Sequence, residues 1–140
     1  MSKVAVVYWS GTGNTGIMAE AVADGAKEAG AEVTVAEVAD FAAADAAGYD
    51  GIALGCPAMG AEVLEEDEFQ PFFDEVKDSI AGKKVVIFGS YGWGDGEWIR
   101  TWAEDCADAG ITLAADPVMA NEEPDDDAKA ECKAAGAAIA

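Results

Sequence analysis

Apolar positions along this chain fall into two alternating patterns. Val4 to Trp9 is a nearly continuous apolar run, the mark of a strand buried on both faces. After a short polar loop, Thr15 to Ala29 carries Met18, Val22, Gly25, Ala26 and Ala29 at helical spacing, with Glu20, Asp24, Lys27 and Glu28 outside that stripe. Gly30 then stands where a helix C-cap glycine belongs. The alternation repeats. Val33 to Val38 predicts a second strand and Ala42 to Ala47 a short alanine-rich helix. Ile52 to Cys56 and Phe69 to Ile80 predict the third strand and its helix, and Val85 to Ser90 and Glu97 to Ala109 the fourth pair. Ile111 to Val118, interrupted by Pro117, predicts a fifth strand region. Asp125 to Ile139 predicts a closing helix whose acidic first residues suit its dipole.

Strands alternating with helices predict an α/β fold: a five-stranded parallel sheet with helices on both faces, because right-handed crossovers cover the sheet. The 140 residues are read as one domain, 1–140, and a chain of this size buries roughly 68–70% of its unfolded surface. In such sheets ligands sit beyond the C-terminal strand ends, where the strand order reverses. Ser10–Thr15, Cys56–Glu62 and Ser90–Glu97 are the segments that fall there.

Composition narrows the chemistry. The absence of histidine removes Ser-His-Asp triads, His-Cys pairs and most zinc enzymes. Cys56, Cys106 and Cys132 are odd in number, widely spaced and without a CxxC pair, which fits a reducing compartment rather than a disulfide or zinc framework, and no metal is expected. A net charge of −20, from 28 acids against 8 bases, would repel nucleic acid and anionic membranes and makes a basic protein the natural partner. The same acidity would also serve solubility or life at high salt. No apolar run approaches the roughly 18 residues that span a bilayer, and the N-terminal residues lack a signal-peptide layout, so the expected location is cytoplasmic.

The first loop admits several readings. Gly11-x4-Gly16 has Walker spacing, but Ile17 and Met18 follow instead of Lys and Ser/Thr, which rules against ATP hydrolysis. Gly11-x-Gly13-x-x-Gly16 matches a dinucleotide fingerprint, with Glu37 as the acid about twenty residues on, although the chain offers no second half or substrate domain. A third reading uses Ser10, Thr12, Asn14 and Thr15, four hydrogen-bonding side chains around a helix N-terminus whose free N–H groups favour an anion. They could encircle a phosphate monoester without any Lys or Arg, provided that the donors are pre-aimed. A plain strand-to-helix turn with Asn14 or Thr15 as N-cap accounts for the same residues, and the loop alone does not choose.

The other two loops break the tie. Cys56-Pro57-Ala58-Met59-Gly60-Ala61-Glu62 places Met59 and Gly60 just past a strand end, and Ser90-Tyr91-Gly92-Trp93-Gly94 sets two aromatics among glycines. A tryptophan between glycines gains little unless it packs on something, either the core or a ligand. Trp98 and Trp102, four apart on the next helix, read as core, and Cys56 as a small buried residue. A phosphate loop with two apolar loops at one sheet end describes a site for a planar ring carrying a phosphorylated tail.

The chain here resembles the short-chain flavodoxins over essentially all of its length. Ser10-Gly11-Thr12-Gly13-Asn14-Thr15 matches that family's [S/T]-x-T-G-x-T phosphate loop, and Ala58–Glu62 and Gly89–Gly94 resemble its two flavin-ring loops. The resemblance implies strand order 2-1-3-4-5 and non-covalently bound FMN. It also implies a low-potential one-electron carrier, shuttling between semiquinone and hydroquinone, rather than an enzyme. Ser10, Thr12, Asn14 and Thr15, with the Gly11 and Gly13 backbone, are implied to hold the phosphate. Met59 and Trp93 are implied to cover the ring faces, Glu62 to accept from the ring N3–H, and Ser90, Tyr91 and Gly92 to line the pyrimidine side. Pro57, Ala58, Gly60, Ala61 and Gly94 complete the expected site. Pro57 departs from relatives having a hydroxyl residue there, which bears on one side-chain phosphate contact and not on the site. The Gly60–Ala61 peptide is implied to flip on reduction, so that the Gly60 carbonyl meets the flavin N5–H. Ala61 at the second central position disfavours the unflipped type II turn by roughly 1–2 kcal/mol.

Glu62, Glu65, Glu66, Asp67 and Glu68, with Asp95 and Glu97 opposite, form an expected acidic rim around the flavin edge. Such a rim predicts transient, salt-sensitive docking of basic redox partners by a monomeric carrier. A solvated loop and a helix N-terminus that prefers acids would look the same. Rival functions are a small NAD(P)H-dependent FMN oxidoreductase, an activator serving one metalloenzyme, and a lone dinucleotide-binding module.

Overall fold

A computed structural model of the chain describes residues 2–11, 13–59, 63–92, 94 and 96–140. Five parallel strands form one sheet in the order β2-β1-β3-β4-β5, the order that the resemblance implies. They are β1 (Lys3–Tyr8), β2 (Glu32–Glu37), β3 (Gly51–Gly55), β4 (Lys84–Tyr91) and β5 (Val118–Asn121). The helices are α1 (Asn14–Glu28), α2 (Phe69–Val76), α3 (Glu97–Asp108) and α4 (Asp126–Ala138).

The apolar runs become the sheet's centre. Val4, Ala5, Val6 and Val7 of β1 are fully buried, as are Ala53 and Leu54 of β3 and Ile87 and Phe88 of β4. Both faces are covered, which is why these runs are continuous rather than alternating. One face packs on α1 and α4, through Met18, Val22, Cys132 and Ile139. The other packs on α2 and α3, through Phe69, Phe73, Trp98 and Trp102. Trp98 and Trp102 are core side chains, as their spacing predicts.

Several boundaries differ from expectation, most of them by a single residue. The alanine-rich segment is a 3-10 helix, Ala43–Gly48, and a second 3-10 turn begins at Val38, so β2 stops one residue early. Helix α2 ends at Val76 rather than Ile80. The largest correction concerns β5. Within Ile111–Val118, Leu113 makes an isolated bridge to Val85, while the strand proper runs from Val118 to Asn121 against Phe88–Tyr91. Pro117 has no N–H for a ladder, so regular pairing begins after it. This shift carries the end of β5 to Asn121, level with the last residue of β4.

No helix among the described residues is long and apolar enough to cross a membrane.

Candidate functional site

The first loop leaves β1 at Tyr8 and enters α1 through Gly13, whose φ of 94° is a left-handed conformation open to glycine at little cost. Gly13, rather than Asn14 or Thr15, is the N-cap. Ser10 holds the turn from inside: its Oγ accepts the Gly13 N–H at 3.0 Å and the Gly16 N–H at 3.3 Å. A hydroxyl has two lone pairs and one proton. Ser10 thus commits its lone pairs to the loop, and neither bond uses its proton.

Thr15 turns inward. Its side chain is buried, its Oγ1 accepts the Ser90 N–H at 3.3 Å, and it lies 3.2 Å from Ser90 Oγ. The same Ser90 presents its carbonyl to the Ala58 N–H at 3.0 Å. One residue at the end of β4 therefore ties together all three expected loops.

The second loop is anchored at Cys56. The Cys56 carbonyl accepts the Trp98 indole N–H at 3.1 Å, its N–H donates to Phe88 O at 3.0 Å, and its Sγ accepts the Glu65 N–H at 3.3 Å. Burial pushes this thiol up to about 12, so it stays protonated and packs as a small apolar group. Met59, just past the strand end, pairs with Val63 in an isolated antiparallel bridge.

These loops enclose a cavity of about 550 Å³, lined by Trp9, Gly11 and Asn14 from the first loop, Pro57–Met59 from the second, and Ser90–Gly92 from the third. Its size lies within the range of roughly 300–1,000 Å³ usual for cofactor sites. The walls are mainly flat apolar groups, with Asn14 and Ser90 as uncharged polar contacts and no Lys or Arg among the described lining residues. This arrangement fits FMN: an apolar slot for the ring beside a helix N-terminus that offers neutral donors to a phosphate.

Eight expected site residues line this cavity: Gly11, Asn14, Pro57, Ala58, Met59, Ser90, Tyr91 and Gly92. Ser10 lines a smaller cavity of about 220 Å³ to which Trp9 also contributes. Thr15 lies beneath the wall, while Gly13 and Gly94, the latter with φ 79°, shape the loops without lining the cavity. The expected roles of Thr12, Gly60, Ala61, Glu62 and Trp93, including the peptide flip, fall outside the described residues.

Three wall residues were not anticipated. Trp9 belongs to the expected first strand, so its indole reads as core until the strand is seen to stop at Tyr8. Glu122 and Glu123 come from the β5–α4 turn. With the fifth strand expected to end at Val118, nothing placed these two at a strand end. Glu122 is the one non-glycine with positive φ, 56°, among the described residues, and its N–H donates to Tyr91 O at 2.7 Å. That bond extends the β4–β5 ladder by one residue and brings both acids to the cavity wall.

Glu65 corrects the expected acidic rim. It is only 6% exposed, and its carboxylate accepts N–H groups from Asp67, Glu68 and Phe69 at 3.0, 2.7 and 2.8 Å. Burial alone would raise its pKa; the three N–H donors outweigh that and hold it below the ordinary value of 4.5. Glu65 caps the start of α2 instead of belonging to a docking rim. Glu66, Asp67, Glu68 and Glu97 are exposed, as a docking rim requires, while Glu62 and Asp95 lie outside the described residues.

Comparison with known proteins agrees with this geometry. The flavodoxin family model matches residues 6–136. The chain is 47% identical to a flavodoxin of Clostridium beijerinckii over 135 residues, covering 96% of this chain and 97% of that one. It is 46% identical to a flavodoxin of Megasphaera elsdenii over 137 residues, covering 98% of each. The solution structure of two-electron reduced Megasphaera elsdenii flavodoxin superposes with a TM-score of 0.89 at 46% identity, covering 97% of both chains.

Proposed function

The chain belongs to the flavodoxin family of FMN-binding electron carriers, and from that premise we propose that it is a low-potential one-electron carrier, folded as one domain over residues 1–140 and acting in the cytoplasm as a monomer. When bound, FMN supplies the redox chemistry, and the protein sets where the cofactor sits and how it is solvated. The observation that carries this reading is the cavity shared by the ends of β1, β3 and β4.

The chain's own residues have distinct tasks. Ser10, Thr12, Asn14 and Thr15, with the Gly11 and Gly13 backbone, hold the phosphate through hydroxyls, the Asn14 side chain and N–H groups. Met59 and Trp93 shield the ring faces from water, and Glu62 accepts from the ring N3–H. Ser90, Tyr91 and Gly92 line the pyrimidine side, with Pro57, Ala58, Gly60, Ala61 and Gly94 shaping the walls. Excess negative charge near the ring disfavours adding electrons to it, and about 1.4 kcal/mol of repulsion lowers a one-electron potential by about 59 mV. In a protein of net charge −20, a few kcal/mol of this kind makes a strongly reducing carrier.

The exposed carboxylates Glu66, Asp67, Glu68 and Glu97 lie near the second and third loops and attract basic redox proteins, favouring fast, weak association. Stepwise dithionite titration of the purified protein tests the assignment. A flavin absorption spectrum that bleaches in two resolved one-electron stages is expected. A colourless protein that takes up no added FMN refutes it. Electron transfer to a basic protein should slow as salt rises; a rate indifferent to ionic strength refutes the docking surface alone.

A further inference from the structure

Met119 is an exposed methionine seated where the third loop enters α3. It is 40% exposed, whereas Met18 is fully buried and Met59 lines the cavity. Its neighbours along β5, Val118 and Ala120, pack under α4, which turns Met119 to the α3 face, beside Gly89 of β4. There its thioether covers Gly96, the N-cap of α3, whose φ is 94°. A methyl built on Gly96 would stand 2.6 Å from Met119 Sδ and 3.2 Å from its Cε, so the sulfur rests directly on the bare glycine. Arg100 Nη1 is 3.5 Å from the same point. A single exposed apolar side chain is ordinary. A sulfur that solvent can reach and that also covers a helix cap is not.

What Gly96 holds gives the contact its weight. Its carbonyl accepts the Ile99 and Arg100 N–H groups at 3.2 and 3.1 Å, closing the first turn of α3. Trp98, two residues on, donates its indole N–H to the Cys56 carbonyl at 3.1 Å, and its ring centroid lies 5.5 Å from that of Tyr91. Tyr91 lines the cavity, as does Pro57, the residue after Cys56. We propose that Met119 is a peroxide-modified site, and that its oxidation to the sulfoxide loosens the start of α3 and with it the cavity's hold on FMN.

The oxidant is hydrogen peroxide, formed when O2 takes two electrons and two protons from a reduced flavin. The Met119 sulfur attacks one peroxide oxygen: an S–O bond forms, the O–O bond breaks, and the second oxygen leaves as water with both protons. The sulfur loses two electrons, and a methionine sulfoxide reductase returns them. A sulfoxide is polar, so it exchanges a dry contact for water. Gly96 has no side chain to take its place. The first turn of α3 then loses its apolar cover at the sheet edge, and Trp98 loses part of the support that holds it against Cys56 and Tyr91. A carrier built in this way sheds flavin under the oxidant that its own reduced form generates. The inference rests on reading the cavity as the FMN site.

The test exposes the FMN-loaded protein to limiting hydrogen peroxide, locates the added oxygen by peptide mass mapping, and times FMN release by the rise of flavin fluorescence on dilution. Oxygen should appear on Met119 before Met59, and release should quicken at least about 3-fold, the scale of one lost apolar contact. Methionine sulfoxide reductase should restore the slow rate. Met119→Leu, apolar and without sulfur, should release FMN at the untreated rate with or without peroxide. Met119→Gln, polar at similar length, should release it faster with no peroxide at all. Met119 still reduced when Met59 is oxidised, or Met119 sulfoxide with unchanged release, overturns the inference. Quickened release that persists in Met119→Leu assigns the effect to another residue and overturns it as well. An untreated protein that takes up no FMN refutes the FMN reading itself.

Discussion

Gly89→Ala concentrates the strain of the site at one carbon atom. Gly89 lies in β4, and a methyl placed on it would overlap the Cys56 carbonyl oxygen, approach the carbonyl carbon to 2.9 Å and come within 3.1 Å of the Trp98 ring. Neither neighbour is a flexible side-chain end. The carbonyl is backbone at the end of β3, and Trp98 is 1% exposed with its indole N–H bonded to that same carbonyl. Forcing a methyl into a packed core costs about 1–3 kcal/mol. Displacing the Cys56 carbonyl also unpairs a buried indole N–H, a further penalty of about 1–3 kcal/mol. The sum, about 2–6 kcal/mol, is a large part of the roughly 5–15 kcal/mol that stabilises a domain. Pro57, Ala58 and Met59 follow Cys56 directly, so the displacement passes into the cavity wall.

Urea unfolding of the FMN-free chain should therefore show a loss of about 2–6 kcal/mol, and FMN affinity should fall as well. Two variants calibrate the result. Trp98→Phe removes the indole donor without adding a methyl and should show only part of the loss. Gly82→Ala, where a methyl meets nothing within 4 Å, should change stability by less than about 1 kcal/mol. If Gly89→Ala were as stable as the unsubstituted protein, the packing argument would fail, because no route remains for the carbonyl to stay in place.

Glu65→Gln should flatten the acid side of the stability profile. The folded carboxyl sits below its ordinary value of 4.5, so its contribution is present above that value and is lost as pH falls through the folded pKa. The variant should lose stability at pH 7, and the gap should close in acid, as read by urea midpoints across pH. Cys56, Cys106 and Cys132, each buried with its thiol pushed up to about 12, should resist iodoacetamide at pH 8 and label fully only after unfolding. Rapid labelling of Cys56 in the native protein would show that the second loop opens. Glu122→Gly relieves a left-handed φ of 56° and should stabilise the protein by up to about 1–2 kcal/mol in thermal unfolding, whereas Glu122→Ala, which keeps the strain, should not.

Much of the fold was legible along the chain because its causes are local. The apolar run of β1 can be satisfied only by burial on both faces, and the helical stripe through Met18 and Val22 must cover it. The alternation of such segments already implies a parallel sheet. The three cavity-lining loops were legible for the same reason, since each directly follows one of these strands. Glycines beside small polar or aromatic residues have few other uses there.

What the tertiary structure decided depends on which strand lies beside which. The sequence offered Ile111 to Val118 as an apolar strand, but pairing with β4 selected Val118–Asn121, beyond Pro117. Only that register brings Glu122 and Glu123 to the cavity and gives Glu122 its bond to Tyr91. Glu65 looked like one more surface acid until three N–H groups converged on it from the start of α2. Thr15 and Ser90 are 75 positions apart, and no local pattern connects them. Local spacing determines what each segment must bury; the closing of strand against strand determines which distant polar groups meet.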